Sequence, residues 1–182
     1  MIKGKSKTSR YRLYFVLLYT MDEPSNRKII YSKSQAMPKA EHYCAYQERA
    51  QSEIRNKLYE WGLKPWEVEE IITELILTNF LNEERFANAY VSGKFKIKKW
   101  GKIKMKQGLK LKQVPEKMII KALNTIDYDD YLNVILECAE KKAPLIKEKE
   151  AYKKKYKLTS YLYSRGFENN LISEVLKNNN LP

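Results

Sequence analysis

Apolar residues recur at helical spacing along most of the chain. Ile54, Leu58 and Trp61 stand at i, i+4 and i+7; after Gly62 and Leu63, Val68, Ile71, Ile72 and Leu75 stand at i, i+3, i+4 and i+7. The spacing predicts two amphipathic helices with a break at Gly62, and Pro65 fits the first turn of the second. The pattern returns 51 residues later, where Met105, Leu109 and Val114 precede Ile119, Ala122, Leu123 and Ile126. It returns again after a further 53 residues, with Leu158, Leu162, Gly166 and Phe167 ahead of Ile172, Val175 and Leu176. The middle copy departs most: Lys112 stands where Trp61 does, and Gln113 where Gly62 does.

Each helix pair is preceded by another helical stretch. The first would run from about Ser34 to Gln47, with Ala36, Ala40, Tyr43, Cys44 and Gln47 on one side. The second starts after Asn82, a good N-cap, and Glu83 and Glu84 suit the positive end of its dipole. Its inner face would be Phe86, Ala87, Tyr90, Val91 and Phe95. The third starts near Asp127 or Asp129, turns Leu132, Ile135, Leu136 and Ala139 inward, and should end or kink at Pro144. The fold class expected is therefore all-α: three tandem three-helix repeats forming an elongated, curved array. The units are residues 33–81, 82–126 and 127–182, after an N-terminal extension over 1–32. One such unit is too small to bury much core alone, whereas stacked neighbours share apolar surface.

The remaining composition supports helices. Only six glycines and six prolines occur in 182 residues, few for a turn-rich β protein. Residues 13–19 are apolar but far too short to span a bilayer, no small-residue cleavage site follows, and translation starting at Met21 or Met37 would leave them out. Cys44 and Cys138 lie far apart with no CxxC pair or Cys/His cluster, which points to two buried thiols in a reducing cytoplasm and away from zinc.

The formal net charge is +13, and its distribution matters more than its size. From Arg85 to Pro115 there is no acidic residue; Arg85 and nine lysines (Lys94, Lys96, Lys98, Lys99, Lys102, Lys104, Lys106, Lys110 and Lys112) supply +10. Gln47 to Glu84 instead holds nine acids against four basic residues. Such segregation is not a general lysine bias. The middle unit is expected to be a phosphate-contacting surface, a solvated lysine face being the alternative. Lys102, Lys106 and Lys110, four apart, form one row on a helix, where like charges cost stability unless an anion or solvent offsets them. Trp100, beside Gly101, either stacks on a base or packs at a helix joint, packing being the commoner role. Lysine suits backbone phosphates better than bidentate base readout, so binding with little sequence preference is expected.

Catalytic patterns are missing. His42 is the only histidine, and its neighbours Glu41, Tyr43 and Cys44 do not face it on a helix. No GxSxG, HExxH or Walker A pattern occurs, and Glu67, Glu69, Glu70 and Glu74 suit a solvated helix face. An enzyme is not expected, and neither is a cofactor.

Three separated motifs carry a resemblance. The run Asn79-Phe80-Leu81-Asn82-Glu83-Glu84-Arg85-Phe86-Ala87-Asn88-Ala89-Tyr90-Val91 resembles the signature that opens the second unit of RecX proteins. Ser52-Glu53-Ile54-Arg55-Asn56-Lys57-Leu58 resembles their first-unit pattern, and Leu158, Leu162, Arg165, Gly166 and Phe167 their closing pattern. The likeness covers about residues 33–178. It implies a regulator that lies in the groove of filaments of RecA on single-stranded DNA and inhibits ATPase and strand exchange. The implied partners are RecA, single-stranded DNA and also duplex DNA, for a cytoplasmic monomer without a membrane contact. The nine lysines together with Arg165 are then the candidate DNA- or filament-contacting residues. Phe86 is expected in the core and Arg85 in a pairing or capping role. A general DNA-binding protein without a recombinase partner is the alternative.

Overall fold

The computed structural model describes residues 30–181, so the apolar run at 13–19 lies outside the described residues. Among the described residues there are nine α-helices and one 3₁₀ turn, with no strand. The first unit comprises α1 (Lys33–Tyr46), α2 (Gln51–Glu60) and α3 (Pro65–Leu77). The second comprises α4 (Glu83–Lys96), α5 (Lys102–Leu111) and α6 (Glu116–Leu123). The third comprises α7 (Tyr128–Lys142), the 3₁₀ turn Ala143–Leu145, α8 (Ala151–Ser164) and α9 (Asn169–Asn178).

Local chemistry accounts for the boundaries. Asn82 Oδ1 accepts from the Arg85 N–H at 2.9 Å, and Asp127 Oδ1 from the Asp130 N–H at 3.0 Å, each satisfying a donor that the first helical turn leaves free. Pro65 opens α3, Pro115 caps α6, and Pro144 falls in the 3₁₀ turn that ends α7. The middle helix of every unit ends alike. Leu63 N–H donates to Leu58 O at 3.2 Å, Val114 N–H to Leu109 O at 3.2 Å and Phe167 N–H to Leu162 O at 3.4 Å. This closure needs a left-handed residue one position earlier. Gly62 (φ 85°) and Gly166 (φ 91°) adopt it freely, and Gln113 adopts it too (φ 61°). The glutamine therefore keeps the joint's geometry and bears a steric cost.

Helix pairs with substantial backbone contact lie within one unit, yet side chains form two cores rather than three. One belongs to the first unit and centres on Ile54, Leu58, Ile71 and Leu75. The other runs without interruption through units two and three, from Phe86 and Met105 through Tyr131 to Phe167 and Ile172. Predicted inward residues are largely buried, Phe86 and Val91 among them. Gln47 is an exception: α1 stops at Tyr46, Gln47 takes extended backbone (φ −160°, ψ 143°), and its side chain is exposed. Both cysteines are buried free thiols; burial pushes Cys44 up to about 11 and moves Cys138 in the same direction.

Candidate nucleic-acid interface

The ten basic residues singled out above lie on the end of α4, the turn after it, α5 and the start of α8's following joint. The structure divides them into three groups. The first group faces carboxylates. Lys106 and Lys110 share Glu116, at 2.5 and 3.1 Å; Lys99 meets Glu137 at 3.0 Å; Lys112 meets Glu53 at 2.5 Å. Two of the three lysines in the row Lys102–Lys106–Lys110 thus have their offsetting anion inside the protein. The two ammonium groups hold the Glu116 carboxyl below the ordinary carboxylate range, and Lys141 and Lys99 do the same to Glu137.

Arg165 stands alone in the second group. It is half-buried, and its guanidinium donates to the carbonyls of Lys99, at 3.1 Å, and Lys98. Gly101 N–H donates to Arg165 O at 2.9 Å, and Ile103 N–H to Gly166 O at 3.0 Å. Arg165 is therefore a clamp between units two and three, and its donors are engaged with backbone rather than pointed at a ligand. What it clamps is the turn that carries Lys98, Lys99 and Trp100.

The third group makes no ion pair among the described residues: Lys94, Lys96, Lys98, Lys102 and Lys104. Lys94 Nζ and Lys104 Nζ flank the Trp100 ring at 4.9 and 4.8 Å from its centroid, and Lys94 also lies 5.3 Å from that of Tyr90. Lys102 Nζ sits 4.9 Å from the Tyr131 ring, and Lys104 Nζ donates to Ser164 O at 3.2 Å. Lys96 and Lys98 are exposed on either side of Ile97, itself 76% exposed. Trp100 is half-buried and packs on the shared core, so its packing role is met while two cations remain over its ring. Burial raises the Tyr90 hydroxyl, which lies against Gly108; a side chain there would overlap it.

The arrangement presents ammonium groups on a backbone held rigid from the neighbouring unit. It suits contact with a chain of phosphates more than recognition of base edges. Sequence reasoning located the basic segment but missed which lysines are engaged, because the engaging carboxylates stand outside it. Glu116 directly follows the acid-free run and could have been found; Glu137 and Glu53 come from other units.

Among the described residues no group of three or more His, Cys, Asp or Glu is placed to hold a metal ion, and no helix is long and apolar enough to cross a membrane.

Comparison with known proteins agrees with this architecture unit by unit. Family models for the first, second and third three-helix domains of RecX match residues 36–75, 82–123 and 129–176. The regulatory protein RecX of Clostridium acetobutylicum is 32% identical over 163 residues, covering 87% of this chain and 73% of that protein. That of Prosthecochloris aestuarii is 30% identical over 141 residues, covering 78% of this chain and 91% of the relative. The match to the Clostridium perfringens protein, also 30% identical, spans 61% of that relative's length. The crystal structure of RecX from Lactobacillus salivarius superposes with a TM-score of 0.73 at 23% identity, covering 80% of this chain and 95% of that one, a likeness of fold. With its three helical units matched in order, and a relative 32% identical of which it covers 73%, the chain belongs to the RecX family of regulatory proteins.

Proposed function

We propose that the protein binds the cognate RecA recombinase on single-stranded DNA and lowers its ATPase and strand-exchange activities, acting by contact rather than by catalysis. Units two and three lie against the filament, with Lys94, Lys96, Lys98, Lys102 and Lys104 toward phosphates. The observation that carries this is the set of five ammonium groups without an ion-pair partner among the described residues, on the end of α4, the turn locked by Arg165 and the start of α5, two of them flanking the Trp100 ring. Five phosphate contacts correspond to a log–log salt slope of roughly −4.5 on duplex DNA and about −3.5 on single strands.

The test is the single-stranded-DNA-dependent ATPase of cognate RecA, titrated with the protein at two salt concentrations. Inhibition that saturates below one protein per RecA supports filament binding; no effect at saturation refutes it. The change Lys96→Glu with Lys98→Glu separates this from general DNA binding. If naked-DNA affinity and ATPase inhibition fall in parallel, and inhibition vanishes with excess DNA, competition for DNA accounts for the effect and no recombinase contact is needed.

A further inference from the structure

Unit one is acidic overall, yet one of its faces is not. Lys39, His42, Tyr43 and Tyr46 stand at i, i+3, i+4 and i+7 on α1, on one side of that helix. They border a groove of about 890 Å³ whose opposite wall is Tyr31 and Trp61. Those two rings meet edge to face with centroids 5.8 Å apart, and Tyr31 N–H donates to Trp61 O at 2.9 Å. Lys39 Nζ lies 4.9 Å from the Tyr31 centroid, and the Arg49 guanidinium 4.0 Å from that of Tyr43. Arg49 Nε is buried and has no hydrogen-bond partner among the described residues. No carboxylate of the described residues lines the groove, and Tyr46 is 80% exposed at its mouth.

This combination selects a ligand class. Lys39 and Arg49 repel a cation, so the aromatic walls are no cage for an ammonium group. Flat faces beside phosphate-binding donors suit nucleotides, and only unpaired bases expose their faces for stacking. We propose that this groove binds a short unpaired stretch of single-stranded nucleic acid. A base stacks on Tyr46, and Arg49 and Lys39 contact the flanking phosphates. The site rests on the function proposed above only for the nature of the polymer, and it lies on a different unit from the lysine cluster.

The test uses the full chain and an oligothymidylate carrying 5-iodouridine, with crosslinks mapped by mass spectrometry and affinity measured by fluorescence anisotropy. Crosslinks should fall on Tyr43, Tyr46 or Trp61. Tyr46→Ala should weaken single-strand binding at least about fivefold, the loss of one stacked base, while Tyr46→Phe restores it. Affinity for a hairpin duplex should change less than about twofold, since its bases are already stacked on one another. Crosslinks confined to residues 85–115, or equal losses on single strand and duplex, would overturn the proposal. So would an oligoglutamate peptide that binds as well as the oligonucleotide and displaces it, which would make the groove a protein-docking surface. The two interfaces fail separately. Lys96→Glu with Lys98→Glu should weaken both DNA forms; loss with that variant but not with Tyr46→Ala leaves the lysine cluster standing alone, and the reverse leaves only the groove.

Discussion

The joint between units one and two and the joint between units two and three are built from opposite materials. At the second, backbone meets backbone. Gly101 and Gly166 touch, and a Cβ on either would overlap its neighbour: the Gly166 carbonyl in one case, Lys104 in the other. The fully buried Tyr131 sits beneath, between Phe95 and Phe167 at ring separations of 5.9 and 5.6 Å. Its hydroxyl accepts from the Lys102 N–H and donates to Glu168 Oε2, both at 2.7 Å, and so caps α5 where Gly101 supplies no side chain. At the first joint the contacts are polar. Glu83 Oε2 accepts from Gln51 N–H at 2.9 Å, Ser52 Oγ donates to Lys112 O at 2.6 Å, Lys112 pairs with Glu53, and Arg85 with Glu48. Among apolar residues of unit one, Ala50 is the one whose side chain joins the neighbouring core. The contrast teaches that three similar units need not make three equal couplings. Units two and three share one core and are expected to unfold together, whereas unit one is attached by hydrogen bonds and ion pairs of modest net worth.

Substitutions at the two joints sharpen this contrast. Gly101→Ala should have the largest effect, destabilising units two and three by about 3 kcal/mol in chemical denaturation, because a rigid backbone lies where the methyl must go. A loss under about 1 kcal/mol would show that the joint yields. Tyr131→Phe should cost about 2 kcal/mol, since it leaves the Lys102 N–H and the Glu168 carboxylate without their shared partner. In hydrogen exchange this variant should raise opening in α5 and α7 together and leave α2 and α3 unchanged. Gln113→Gly should act in the other direction, stabilising the protein by about 1 kcal/mol through relief of the left-handed glutamine; a lower melting temperature would contradict it.

The smallest effect concerns pH. Burial raises the Glu83 carboxyl above its ordinary value of 4.5, against the opposing hydrogen bond from Gln51. A carboxyl raised on folding favours the protonated native state. Its contribution is complete below the ordinary value and is lost as pH rises through the raised one. Glu83→Gln keeps an acceptor for Gln51 and removes the titration. The variant should therefore show a flatter dependence of unit-one docking on pH above about 4.5. The half-buried ion pairs at the same joint should make that docking loosen modestly with added salt, read as faster exchange in α2, while the glycine joint stays unaffected.

Much of the fold was legible in the residues because helix period, caps and breakers act over a few positions. Asn82, Asp127, Pro65 and Pro144 all do what their chemistry predicts, and Gln113 reproduces the turn that glycine makes elsewhere. The candidate interface was legible only as a segment. Lys106 and Lys110 look alike with Lys102 on a helical wheel, yet they meet Glu116 and Lys102 does not. Arg165 belongs to a basic motif, but its partners are backbone carbonyls more than sixty residues away. The groove on unit one escaped notice because net acidity hid it: its cations come from α1 and the turn after it, while the acids that outnumber them lie on α2 and α3.

The residues alone thus determined the helical class, the threefold recurrence, the family and the segregation of charge along the chain, all properties carried by spacing and composition. Tertiary structure alone decided which ammonium groups stay unpaired, which arginine became a clamp, and that two units share one core while the third keeps its own. Those outcomes depend on approaches of a few ångströms between side chains far apart in sequence, and Coulombic and packing energies are set by that distance in space.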